Sequence, residues 1–248
     1  MRAALLCAWL LPLLFCGCQP QPAERAAGES ATAPPAPAWP AHDYAQPLAA
    51  GQRVYRLDSA SSLLDIVVRR DGPLARFGHD HAISVQNLEG YLLLDSGGDG
   101  SIADLRFRVE DLAVDSAAGR ARYGLDTEPD AEDVAGTRSN LMEHVLNADQ
   151  WPFAEIRLED FSHRQDHYSA VLEISINGAR YSGPQPFRLQ ASDAEVVVEG
   201  SLVLRQTDLG LVPFSALGGG LRVADPLEIH FRLAGTHLAD QGSPTGTR

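Results

Sequence analysis

The chain contains no lysine: all 20 of its basic residues are arginine. This excludes a Schiff-base lysine and the lysine of a phosphate-binding P-loop. Cysteine is scarce as well. Cys7, Cys16 and Cys18 are the three present, all near the N-terminus, so the body of the chain has neither a disulfide nor a thiolate ligand. Positive charge is outnumbered, 20 basic residues against 33 acidic for a net charge of −13, and the arginines are spread through acidic surroundings. A phosphate backbone is gripped by a clustered basic face, so no nucleic-acid partner is expected. A Gly-x-Ser-x-Gly nucleophile elbow and a His-Glu-x-x-His zinc motif are both missing. Gly218-Gly219-Gly220 lacks the strand-to-helix context of a phosphate loop and reads as a turn before the last strand.

At the N-terminus, Arg2 precedes an apolar run from Ala3 to Phe15, followed by Cys16-Gly17-Cys18. This is the order of regions in a secretory signal, and the run is shorter than the roughly 20 residues that a membrane-spanning helix needs. A small residue must precede the cleaved bond, which favours Gly17-Cys18 over Phe15-Cys16. The segment resembles a bacterial lipoprotein signal, with Phe15 where that box usually carries leucine. The resemblance makes Cys18 the lipidated residue, and Gln19 after it implies the outer membrane as destination; an ordinary signal peptide remains the alternative. Residues 18–50 are rich in Pro and Ala, a composition that behaves as a linker. The expected organisation is a signal at 1–17, a lipidated linker at 18–50, one domain at 51–238 and a polar tail at 239–248.

Within the domain the dominant hydrophobic period is two, that of half-buried strands. Leu105, Phe107 and Val109 alternate with charged residues, as do Ile156 and Leu158; Leu172, Ile174 and Ile176 alternate with Val171, Glu173 and Ser175, and Leu227, Ile229, Phe231 and Leu233 with Glu228, His230 and Arg232. Asn177-Gly178 supplies the two positive-φ residues of a type I′ hairpin turn. Further strands are expected at 53–58, 62–70, 81–94, 181–191 and 195–205. Between Pro129 and Asn147, Leu141, Met142, Val145 and Leu146 fall on one helical face. The pattern predicts an all-β fold, an antiparallel barrel of about eight strands with one inserted helix, wide enough inside for side chains or one small ligand.

Several segments taken in order carry a resemblance to a known family. These are Val54-Tyr55-Arg56-Leu57-Asp58 with Ser61 or Ser62, Arg138 to Pro152 leading into Ala154-Glu155-Ile156, Val198-Glu199-Gly200-Ser201-Leu202, and Arg205-Gln206-Thr207-Asp208-Leu209-Gly210. Together they resemble the YceI-like family of periplasmic proteins over nearly the whole domain. The resemblance implies a lipocalin-like antiparallel barrel whose apolar cavity holds a polyisoprenoid or another long-chain amphiphile. Two departures stand out: Leu209 in the turn, and Phe77-Gly78-His79-Asp80-His81 in place of a Phe- and Asp-containing segment.

His79 and His81 are the sharpest local feature, because residues two apart on a strand project to one side, continuing through Ile83 and Val85. They can be a strand end, polar contacts for the head of an apolar ligand, or two of the three or more ligands a metal site normally wants, with His144 as a distant third. Arg205 with Asp208 reads mainly as an ion pair fixing a turn, and Trp151 as a packing anchor. Glu143 and His144 are adjacent on a helix and point to different faces. The functional expectation is a lipid-anchored, non-enzymatic carrier without a cofactor, holding a polyisoprenoid or quinone-like lipid against His79, His81, Ile83, Val85, Phe107 and Phe231. The alternatives are a metal- or haem-linked redox accessory protein using His79 and His81, and a barrel filled by its own side chains.

Overall fold

The computed structural model describes residues 38–95, 100–164 and 167–241. The signal, Cys18 and the last residues of the tail lie outside the described residues. Short helix α1 (Ala45–Ala49) leads into β1 (Arg53–Leu57) and β2 (Leu63–Asp71). Then come β3 (His81–Ser84), β4 (Glu89–Leu94), β5 (Ile102–Arg108) and β6 (Ala113–Val114). Two helices, α2 (Ala117–Arg122) and α3 (Ala131–Asn140), interrupt the strands, and a π-helical turn at Leu141–Val145 extends α3. The chain then runs through β7 (Phe153–Arg164), β8 (His167–Ile176), β9 (Ala179–Ala191), β10 (Glu195–Arg205), the two-residue β11 (Ser215–Ala216) and β12 (Leu221–His237).

Pairing closes these strands into a ring. The order is β1-β4-β5-β7-β8-β9-β10-β12, and β12 returns to β1 through Tyr55 opposite His237, which makes an eight-membered antiparallel barrel. The edge of β12 that meets β1 at one end meets β2 along the rest, Phe231 opposite Leu64. β3 and β6 continue that wall. Thus β1–β2, β3–β4 and β5–β6 are each one long strand broken in the middle, and neighbours in sequence are neighbours in space. Closure pairs most strand edges, as such barrels do, but β9 and β10 pair only where Arg188–Ala191 face Val196–Glu199, and beyond that Gln185 reaches the Ser201 carbonyl in place of a ladder bond.

Local sequence sets the corners. Asn177 and Gly178 take φ of 50° and 73° and join β8 to β9 by the expected tight turn. A Cβ on Gly178 would lie 2.6 Å from the Trp151 ring, so Trp151 is the packing anchor, seated on that turn. The Asp130 side chain caps α3 by accepting from the amides of Glu132 and Asp133 at 2.9 Å. Arg138 ties the helix to the barrel, donating to the carbonyls of Leu112 and Glu110. The turn after β10 is fixed by Asp225, which accepts from the Thr207 amide at 2.9 Å and hydroxyl at 2.8 Å. Among the described residues Arg205 and Asp208 form no ion pair, so the expected partnership is replaced by Asp225.

Two boundaries differ from the sequence reading. The linker composition extends to residue 50, yet residues 38–50 lie on the outer wall of the barrel. Tyr44 is buried with Val54 and Leu93, and stacks on Tyr91 at 5.2 Å. Asp104, itself buried, holds this strap: it accepts from the His42 amide at 3.0 Å and the Tyr44 hydroxyl at 3.1 Å. Averaging over the Pro/Ala-rich segment hid these few aromatic anchors. The second difference is at Val85. β3 ends at Ser84, Asn87 takes φ of 52°, and Leu88 donates to Ser59 instead of to a ladder partner. The Val85 amide still donates to the Leu64 carbonyl at 2.9 Å, and the chain leaves the ladder after it.

Candidate functional site

Inward-facing residues of every strand of the ring enclose a cavity of about 720 Å³. Leu105 and Phe107 of β5, Ile174 of β8 and Ile229 and Phe231 of β12 are all on its wall. Several of these, such as Ile156, Ile174, Leu202 and Phe231, are only half-buried although they point into the barrel. Their free surface faces the cavity, so the side chains do not fill the interior. The wall extends along β12 from Leu221 to Leu233, which at a rise of about 3.3 Å per residue is roughly 40 Å of strand. That volume drawn out over that length is a channel rather than a round pocket.

Away from its polar end the channel is apolar, and the two glutamines on its wall bond to neighbouring backbone. Gln185 is buried and donates from Nε2 to the carbonyls of Pro186 and Ser201. Gln206 donates to the Ala224 carbonyl at 2.7 Å. Gly200 sits opposite Phe231 across the β10–β12 ladder, and a Cβ there would be 2.5 Å from the phenyl ring. The missing side chain gives the ring its place on the wall.

Polar groups collect at the end of the channel where the 72–80 loop, α3 and the start of β12 meet. His79 and His81 both line it, their ring centres 6.4 Å apart. His81 donates from Nδ1 to Asp115 at 2.6 Å. Asp115 also accepts from the Ala82 amide at 3.0 Å and from Arg120 Nη1 at 2.7 Å. Burial pushes the Asp115 carboxyl up, but the hydrogen bonds from His81, Ala82 and Arg120 outweigh it and hold the group below the usual carboxylate range. Arg120 is in turn locked by the carbonyls of Asp80 and Thr127. His79 approaches Asp133 of α3 at 3.6 Å through Nε2, while its Nδ1 is buried without a hydrogen-bond partner.

Of the residues singled out from sequence, His79, His81, Ile83, Phe107 and Phe231 meet on one channel. Val85 does not line it and packs instead against the surrounding core. Cys18 lies outside the described residues. His144 is not brought to the other histidines; its ring stacks on Phe214 at 6.4 Å. Among the described residues no group of three or more His, Cys, Asp or Glu stands close enough to hold a metal ion. Sequence reasoning missed Asp115 and Arg120, which lie 34 and 39 positions from His81. No local spacing announces them, because the β3–β6 pairing brings Asp115 to the histidine.

No family model matches the sequence, and no curated protein does. Solved structures with the same architecture are found, however. BcnA of Burkholderia cenocepacia is 14% identical, aligning with 72% of this chain and 98% of its own at a TM-score of 0.52. A polyisoprenoid binding domain from Saccharophagus degradans is 12% identical, aligning with 75% of this chain and 99% of its own at a TM-score of 0.51. At these identities the likeness is one of fold, and the fold shared is the closed, antiparallel, lipocalin-like barrel that the resemblance to the YceI-like family implied.

Proposed function

We propose that the protein is a carrier or sequestering protein that holds one long-chain apolar molecule, of the polyisoprenoid or quinone-like class, inside its barrel. The observation that carries this reading is the set of half-buried aliphatic and aromatic side chains facing an open channel of about 720 Å³. A barrel stabilised only by its own packing would have filled that space, since a void forfeits dispersion contacts and transfer free energy. An aliphatic tail in the channel gains about 0.8 kcal/mol for each methylene removed from water, so the apolar wall suffices for affinity and no catalytic group is needed. The fold likeness to a domain described as polyisoprenoid binding, and the resemblance to the YceI-like family, support the choice of ligand class.

In this reading the N-terminal signal exports the chain, and lipidation of Cys18 tethers it to a membrane on the periplasmic side. The carrier would exchange its cargo with that membrane. The test is to purify the protein from the periplasmic side of a diderm host and record its native mass, then analyse its solvent extract for lipids. A stoichiometric long-chain lipid is expected; a protein that comes out empty, and stays empty when offered isoprenoids, would sink the proposal. Lipidation is tested separately by the mass of the N-terminal peptide and by Cys18→Ala, which should release the protein from the membrane fraction.

A further inference from the structure

We propose that the polar end of the channel is a subsite for a hydroxyl head group, with Nε2 of His81 as the hydrogen-bond acceptor. The preferred occupant is then a long-chain isoprenoid alcohol or phenol rather than its ether or its phosphate ester. This deepens the channel reading and rests on it.

The tautomer of His81 is set from behind. The two carboxylate oxygens of Asp115 have separate tasks: one accepts from the Ala82 amide and Arg120, the other faces His81 Nδ1 at 2.6 Å. A carboxylate has no proton to give, so in the neutral imidazole the proton resides on Nδ1 and Nε2 carries the lone pair. Nδ1 being occupied, Nε2 is the remaining polar atom of a side chain that lines the channel. Among the described residues nothing hydrogen-bonds to it. His79 adds a second unfilled group at the same place, its buried Nδ1 lacking a partner.

Charge argues against a phosphate head. The two arginines that line the channel are already engaged: Arg70 with Asp126 at 2.9 Å and with Asp80, Arg222 with Asp71 at 2.8 Å. Glu132 and Asp133 of α3 line the same end. An anionic head would meet carboxylates there, whereas a hydroxyl donates to Nε2 without carrying charge into the channel.

The full chain, freed of bound lipid, is titrated at pH 8.5 with geranylgeraniol, its methyl ether and its diphosphate, each by displacement of a fluorescent isoprenoid. One net hydrogen bond predicts that the alcohol binds about tenfold tighter than the ether, with the diphosphate weaker than the alcohol. In Asp115→Asn the amide NH₂ replaces the oxygen facing Nδ1 and moves the imidazole proton to Nε2, the tautomer error that an Asp→Asn change produces behind other oriented histidines. An Nε2–H donates to an alcohol and an ether alike, so the preference should collapse. His81→Phe, which fills similar space without nitrogen, should lose it too. Equal binding of alcohol and ether by the unaltered chain, tighter binding of the diphosphate, or a preference that survives His81→Phe overturns the head-group assignment and leaves the carrier reading standing. Failure of all three compounds to bind overturns both.

Discussion

The residue on which the polar end of the channel depends is Asp115, which is buried, takes φ of 52°, and joins His81, Ala82 and Arg120. Removing one partner of such a buried pair strands the other charge, so Asp115→Ala should cost about 3 kcal/mol in urea unfolding. The pH dependence follows from the lowered Asp115 pKa. A carboxylate whose folded value lies below its unfolded value, near 3.9, stabilises the protein above that value and loses the contribution as pH falls through the folded one. Comparing unfolding of the native chain and Asp115→Ala from neutral pH downward should show their stability difference shrinking in that acid range; a constant difference would mean that Asp115 acts only by packing. Gly200 offers a second residue-scale test. Gly200→Ala places a methyl where Phe231 lies, and should cost about 1–3 kcal/mol by overpacking while swinging the ring into the channel. Bound lipid measured by native mass should fall accordingly.

At the scale of elements, α3 is held at the channel end by its cap, by Arg138 and by the π-helical turn, not by a strong apolar face of its own. The expected amphipathic face lies at its end, where Leu141, Val145 and Leu146 pack against the core. A helix so attached depends on its terminus, so Asp130→Ala should destabilise it by about 1 kcal/mol. Hydrogen exchange should quicken in residues 131–140 while β8 and β9 keep their protection; uniform change across the protein would mean that α3 and the barrel open together. The strap at 38–50 is the other element that composition concealed. Its anchor is one buried tyrosine on one buried aspartate, with burial and then the neighbouring Asp104 pushing the Tyr44 phenol far above its ordinary range. Tyr44→Ala should therefore lower stability by at least about 2 kcal/mol from lost burial. Thermal unfolding would register this as a drop in Tm, whereas an unchanged Tm would mean that the strap contributes nothing to the fold.

For the whole molecule, the notable balance is between a closed wall and an unfilled interior. An eight-stranded ring has just enough width for side chains or one slender ligand, and the mix of Ala103, Gly200 and Ala154 with larger inward residues leaves a channel open. A ligand that binds only the folded state raises stability by mass action. Offering a saturating long-chain isoprenoid to the lipid-free chain should therefore raise its Tm, and Phe107→Asp, which puts a charge on the channel wall, should remove the rise. The same rise in Phe107→Asp would place the ligand elsewhere.

The alternation of residues such as Ile229 and Phe231 with Glu228, His230 and Arg232 was enough to assign strands and their inward faces, because a period of two allows one buried side only. Asn177-Gly178 likewise marked its turn, since few dipeptides tolerate two positive φ values. Those are local rules, and the sequence states them locally. What only the tertiary structure decided depends on meetings across the chain. Packing of the surrounding core took in Val85 beside the channel, the β3–β6 pairing set Asp115 behind His81, and the strap found Asp104. The open channel itself is the clearest such case, because a cavity is the volume that all the inward side chains together fail to occupy, and no single stretch of sequence records it.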